Sequence, residues 1–220
     1  MKNDKELIYE RYLTVTEERR DINSPVVGID VFLDTIKTAF QSKYPNIGSI
    51  LAGVRSFINQ SRCPAIKFKH LTGALGISLS DKCIVADRAM SGGLSFLLYV
   101  IFHEISHQYQ YSKYGEKFVQ DVYNDEMSLE DAAQKLMKIE NIADRHALMS
   151  VKKLYSKYMP DKKIRLTPLY KGMSVASFAS QIEGIRLLAR QRNLTDIEDI
   201  NKMIYNMIKP RLTTADDLLF

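Results

Sequence analysis

The stretch Leu94-Ser-Phe-Leu-Leu-Tyr-Val-Ile-Phe-His103-Glu104-Ile105-Ser106-His107 runs from an apolar segment straight into the pattern H-E-x-x-H. Ser91-Gly92-Gly93 reads as a turn and start before it, and Tyr114-Gly115 as a C-terminal stop, so the whole stretch is expected to be one helix. Apolar nearly all round before the motif, that helix should be buried. It is too short, and too interrupted by polar residues beyond Phe102, to be a membrane span. On a helix, residues i and i+4 lie one turn apart on the same face. The imidazoles of His103 and His107 can therefore converge on one tetrahedral metal, about 2.0–2.1 Å from each ligating nitrogen. Glu104 is placed to reach a metal-bound water and take its proton. The chain has only four histidines, and two of them are spent in this turn.

A catalytic zinc site takes three protein ligands and leaves a position for water. Downstream, Glu140-Asn-Ile-Ala-Asp144 lies inside a long helical pattern opened by Ser128-Leu-Glu-Asp131, a cap followed by early acids. Ala132, Leu136, Ile139, Ala143 and Ala147 keep the helical period, and Pro160 marks its latest end. Glu140 and Asp144 share a face. If this helix packs beside the motif helix, Glu140 can ligate while Asp144 accepts the remaining N–H of a ligating histidine. Asp144 as the ligand in place of Glu140, and His146 as a competing third ligand, stay open. His146 stands about 200° from Asp144 and about 240° from Glu140 around the helix, so it cannot share a metal with both acids.

H-E-x-x-H followed by E-x-x-x-D on the next helix resembles the gluzincin zinc peptidases. Within them, Glu140-Asn-Ile-Ala-Asp144-Arg-His146-Ala-Leu-Met resembles the E-x-x-A-N-x-F-A segment of ImmA/IrrE-type intracellular peptidases. Asp144 stands where that group has Asn, and His146 where it tends to have Phe. SprT-like proteins, which use a later histidine, are the second resemblance. The first implies His103, His107 and Glu140 as zinc ligands, Asp144 as the hydrogen-bond partner of His103, and Glu104 as general base of a metallopeptidase. It also implies that an edge strand ahead of the motif helix pairs with an extended peptide substrate, along either Gly76-Ile77-Ser78 or Val85-Ala86-Asp87. A regulatory protein is the target class it suggests. The alternative is a zinc-containing binding or scaffold protein without turnover.

Working outward, Ile66–His70, Ala74–Ser80 and Lys82–Ala86 read as strands separated by turn residues, a small antiparallel meander feeding the motif helix. Lys5–Arg20, Val26–Lys43 and Ile47–Arg62 read as helices before it, and Ser174–Arg192 and Thr195–Lys209 as helices after it. Thr195-Asp-Ile-Glu198 has the form of a capping box. The fold class expected is α+β, mainly helical, with a minimal zincin-like core over residues 65–160. Helical regions at 1–64 and 161–220 complete one compact unit. Peptide deformylase, which carries the same motif with a cysteine ligand, is excluded because Cys83 sits in Asp-Lys-Cys-Ile-Val.

Composition bounds the rest. The N-terminus Met1-Lys-Asn-Asp-Lys-Glu has no apolar secretory stretch, so a cytoplasmic location with Cys63 and Cys83 reduced is expected. A net charge of +5 is mild. The run Lys152, Lys153, Lys157, Lys162, Lys163, Arg165 and Lys171 reads as a solvated helix end suited to the dipole. Nucleic-acid recognition and membrane association are not supported; a peptide or protein substrate is. For the oxyanion donor, Tyr111, Tyr114, Tyr170 and Arg165 are the candidates.

Overall fold

The computed structural model describes residues 26–208, apart from 72, 80, 116, 117, 119 and 120. The helix expected over Lys5–Arg20 and the tail after 208 lie outside the described residues. The α+β reading holds: helices dominate, and one small sheet precedes the motif helix.

α1 (Ile29–Phe40) and α2 (Ile47–Gln60) form because their apolar residues recur at helical spacing. Ile29, Phe32, Leu33, Ile36 and Phe40 of the first, and Ile47, Ile50, Leu51, Val54 and Ile58 of the second, are all buried in the main core. The strands are β1 (Ile66–Lys69), β2 (Gly76–Leu79) and β3 (Lys82–Ala86), in the order β1-β3-β2. β2 pairs antiparallel with β3, as expected of a hairpin, but β1 pairs parallel with it. The sheet is therefore mixed rather than an antiparallel meander. The chain between β1 and β2 carries β2 to the far side of β3, which leaves β3 in the centre. Val27 bridges Ala65 in parallel beside the start of β1, so β2 is the edge with no strand beside it among the described residues.

A 3-10 turn (Asp87–Gly92) leads into α3 (Leu94–Tyr114), stopped by Gly115 at φ 81. α3 is the central helix: Leu97, Leu98, Tyr99 and Ile101 have no exposed surface. α4 (Leu129–Tyr158) packs along it, started by Ser128, whose side chain accepts from the Asp131 amide, and ended before Pro160. Ala143 and Ala147, both fully buried, let the two helices approach closely. α5 (Val175–Gln191), capped by Ser174, covers the first half of α4 through Phe178 and Ile182. α6 (Ile197–Ile208), which starts two residues later than the capping-box reading, rests on α5 through Ile200 and Met203. Arg186 of α5 donates to the carbonyls of Met127 and Val122, which fixes the turn ahead of α4. The seven basic residues from Lys152 to Lys171 are all exposed. Among the described residues, no helix is long and apolar enough to cross a membrane.

The junction between the Val27 bridge and α1 depends on Gly28. Its φ is +78°, and a Cβ there would lie 2.7 Å from the carbonyl oxygen of Ile66. Both the left-handed backbone and the backbone contact penalise any side chain. Gly28→Ala should lower the unfolding free energy by at least about 1–2 kcal/mol, the cost of left-handed backbone for an L-residue. Urea denaturation with an unchanged m-value checks this.

Candidate metal centre

α3 presents His103 and His107 on one face, and the close α3–α4 crossing brings Glu140 up to them. His103 Nε2 lies 3.1 Å from Glu140 Oε2 and 3.1 Å from His107 Nε2, and His107 Nε2 lies 3.5 Å from Glu140 Oε2. These three atoms form a small triangle. For ligands about 2.0–2.1 Å from a tetrahedral zinc, donor atoms fall about 3.3–3.4 Å apart. The triangle matches one face of that tetrahedron, and the three residues could hold a metal ion.

The hydrogen bonds behind the triangle decide what it can bind. His103 Nδ1 lies 3.0 Å from Asp144 Oδ1. An ionised carboxylate only accepts, so the Nδ1 hydrogen faces Asp144 and the Nε2 lone pair faces the triangle. His107 Nδ1 lies 2.8 Å from Gln110 Oε1, while Gln110 Nε2 donates to the Ile139 carbonyl at 3.1 Å. Since that carbonyl only accepts, the amide oxygen of Gln110 must face His107, and the Nε2 of His107 is again a lone pair. Two imidazole lone pairs and a carboxylate oxygen thus meet with no donor between them. A cation, or protons on the imidazoles, satisfies that arrangement.

Without a metal, protons take the place. Burial alone would push the imidazole of His103 down. Its hydrogen bonds to Asp144 and Glu140, with the nearby carboxylates, outweigh this and raise it from 6.5 to about 10. His107 is raised against its own burial chiefly by the charge of Glu140. Burial favours a protonated Glu140, but the charge of His107 and the hydrogen bond to His103 hold it well below the usual carboxylate range. Asp144 is also held down, against burial, by His103, by the Tyr99 hydroxyl and by the Tyr170 amide at 3.2 Å.

Glu104 is buried beside the triangle and does not join it. Burial raises its carboxyl, and the two histidines oppose that. It lies against Gly76 of β2: a Cβ there would come within 2.5 Å of Glu104 Cγ. Ser78 ties β2 to α3, donating to the Glu104 carbonyl at 3.0 Å and accepting from Gln108 at 2.6 Å. Beside the site opens a cleft of about 440 Å³, walled by β2, α3, Glu140, Tyr170 and the helices α5 and α6. Of the two strand segments considered for substrate pairing, Gly76-Ile77-Ser78 lies along this cleft, whereas Val85 and Ala86 are buried in the central strand.

The competing residues go elsewhere. His146 is exposed, and its ring meets Tyr109 edge-on at 6.4 Å in a groove that contains none of the triangle. Asp144 turns to the back of His103 rather than to the triangle. Tyr114 is half exposed and Arg165 exposed, and neither lines the cleft. Tyr111 does, but its hydroxyl donates to the Ser78 carbonyl at 3.0 Å. Tyr170 stacks on His103 with ring centroids 5.7 Å apart, and burial keeps its hydroxyl protonated well above the ordinary range. Tyr99 and Gln110, which the sequence reading passed over, lie four residues before His103 and three after His107. Helix spacing places both on the site's side.

Asp144→Ala and Gln110→Ala should each weaken affinity for a divalent metal ion by about 10–100-fold, the usual effect of losing a ligand's supporting hydrogen bond. His146→Ala should leave it unchanged. Competition with a chromophoric chelator measures all three. A pH dependence follows as well. Metal-free folded protein keeps a proton on His103 that the unfolded chain releases above 6.5. The sign of the linkage is therefore negative: stability is fully present below 6.5 and is lost as pH rises through about 10. With a metal ion on the triangle the slope should disappear, and affinity for the ion should rise with pH as protons are displaced. Urea titrations at several pH values, with and without zinc, read both effects.

The chain matches no protein-family model, no curated protein and no solved structure.

Proposed function

We propose that this protein is a zinc-dependent metallopeptidase. One observation carries the reading: three lone-pair donors converge on one point with a buried carboxylate beside them and a cleft alongside. Structural zinc sites close with four protein ligands, whereas catalytic sites stop at three. His103, His107 and Glu140 would hold the ion. When bound, it would polarise a scissile carbonyl and acidify water at the site.

The remaining roles fall to side chains of the chain. Glu104 takes the proton of the attacking water and delivers it to the leaving amine, and its burial raises its basicity for that task. Gly76 leaves the space that its carboxylate occupies. The phenol of Tyr170, protonated and lining the cleft, is the donor best placed for the developing oxyanion. The cleft's apolar walls, among them Leu136, Phe178 and Ile204, suit a peptide with an apolar side chain. A regulatory protein as target rests on the resemblance to ImmA/IrrE-type peptidases alone.

Glu104→Gln should reduce cleavage of an unfolded-peptide library by about 10²–10⁴-fold, the share of general acid–base catalysis, while zinc stays bound. Gly76→Ala should push the Glu104 carboxylate aside and also depress turnover with zinc retained. Mass spectrometry of the library and of the metal content reads both; wild-type turnover by Glu104→Gln would remove the general-base assignment.

A further inference from the structure

Apart from the triangle and Glu104, Arg88 is the one charged side chain on the walls of the cleft among the described residues. It comes from the 3-10 turn between β3 and α3, and its backbone is fixed there. The Arg88 amide donates to Asp87 Oδ1 at 2.6 Å, its carbonyl accepts from the Ser91 hydroxyl at 2.7 Å, and the next residue, Ala89, is fully buried. From this anchored turn the side chain reaches the stretch just ahead of β2, where Nη2 donates to the Ala74 carbonyl at 2.9 Å.

That bond uses one of the five N–H groups of a guanidinium. The neighbouring acid, Asp87, does not take up the rest: its second oxygen lies 3.4 Å from the His70 ring. Among the described residues no carboxylate forms an ion pair with Arg88. The place of this cation relative to the metal centre is bounded by the chain. Ala74 and Gly76 are two residues apart, so their Cα atoms lie within about 7 Å of each other. Gly76 is the residue against which Glu104 packs. An extended peptide advances about 3.4 Å per residue. On a peptide lying along β2, a group held by Arg88 therefore sits about two residues from the bond beside Glu104.

A guanidinium with donors to spare selects a planar anion that accepts two parallel hydrogen bonds, and on a peptide that anion is a carboxylate. We propose that Arg88 is a specificity-determining residue that captures a carboxylate of the substrate, from an acidic side chain or from the C-terminus, about two residues from the bond cut. The apolar walls take the side chains beside it. A neutral peptide lacks this anchor, and a basic one is repelled. The role in cleavage rests on the metallopeptidase reading, whereas capture of a carboxylate needs only the cleft.

The test titrates the full-length chain, metal-free and zinc-loaded, with dye-labelled short alanine–leucine peptides followed by fluorescence anisotropy. One set is amidated and carries a single Asp at each position in turn. A second carries Asn instead, and a third has neither but ends in a free carboxylate. At one position, or at the free terminus, the carboxylate should tighten binding at least about fivefold over its neutral partner, the scale of one exposed guanidinium–carboxylate pair. Asp preference assigns the subsite to an acidic side chain, and preference for the free acid assigns it to the C-terminus. Arg88→Gln should abolish the preference. Arg88→Glu should reverse it, toward Lys over Asp or toward the amidated terminus, which a loss of packing would not do. Equal affinity for all three sets, or a preference that survives Arg88→Gln, overturns the proposal. Arg88-dependent capture by a zinc-loaded chain that cleaves none of the peptides would retire the peptidase reading and keep the subsite. Cleavage without any carboxylate preference would do the reverse.

Discussion

The carboxylate of Asp144 is the fixed point of the molecule. It is buried at the crossing of α3 and α4, and it accepts from the Tyr99 hydroxyl, the His103 ring and the Tyr170 amide. A buried charge is tolerated only when its hydrogen-bonding capacity is filled, and three donors from two separate stretches of chain fill this one. The same bonds set the rotation of α4 against α3, turn the lone pair of His103 forward, and draw the loop carrying Tyr170 onto the ring of His103. Gln110 performs a parallel task one turn along, joining His107 to the carbonyl beside Glu140. Helix packing and the aim of the ligands are consequently one constraint. A shift of α4 by one residue would lose both.

That constraint also explains the local electrostatics. The three front atoms are all acceptors, and so a metal-free site recruits protons, lifting both imidazoles against their own burial. Glu104 stands outside this exchange because Gly76 gives it a niche of its own beside β2. A carboxylate inside the triangle would be a fourth acceptor for the ion. A carboxylate beside it can serve as a base. The contrast between Glu140, held down by the histidines, and Glu104, raised by burial, separates two chemically identical groups in the way the proposed ligand and base would need.

Much of this was legible in the residue order, because it depends on local periodicity. The spacing of His103 and His107, the cap at Ser128, the apolar period through Ala143 and Ala147, and the shared face of Glu140 and Asp144 all follow from helix geometry. Features that depend on distant pairing were not legible. The parallel pairing of β1 with β3 depends on how the 70–75 connection crosses, which no turn residue announces. The niche at Gly76 exists only because β2 passes over Glu104, twenty-eight positions later in the chain. Tyr99 and Gln110 were within reach of helix arithmetic, yet a tyrosine and a glutamine on an apolar helix carry no mark of their role.

His103, His107 and Glu140, with no fourth side chain, are the set proposed to hold one metal ion. The metal content of the purified chain after zinc reconstitution, compared with that of His107→Ala and Glu140→Ala, tests that set. Plasma mass spectrometry should find about one zinc per chain in the wild type, as a three-ligand site requires, and none in either variant. A wild-type chain that takes up no zinc, or a Glu140→Ala chain that keeps it, would contradict the account.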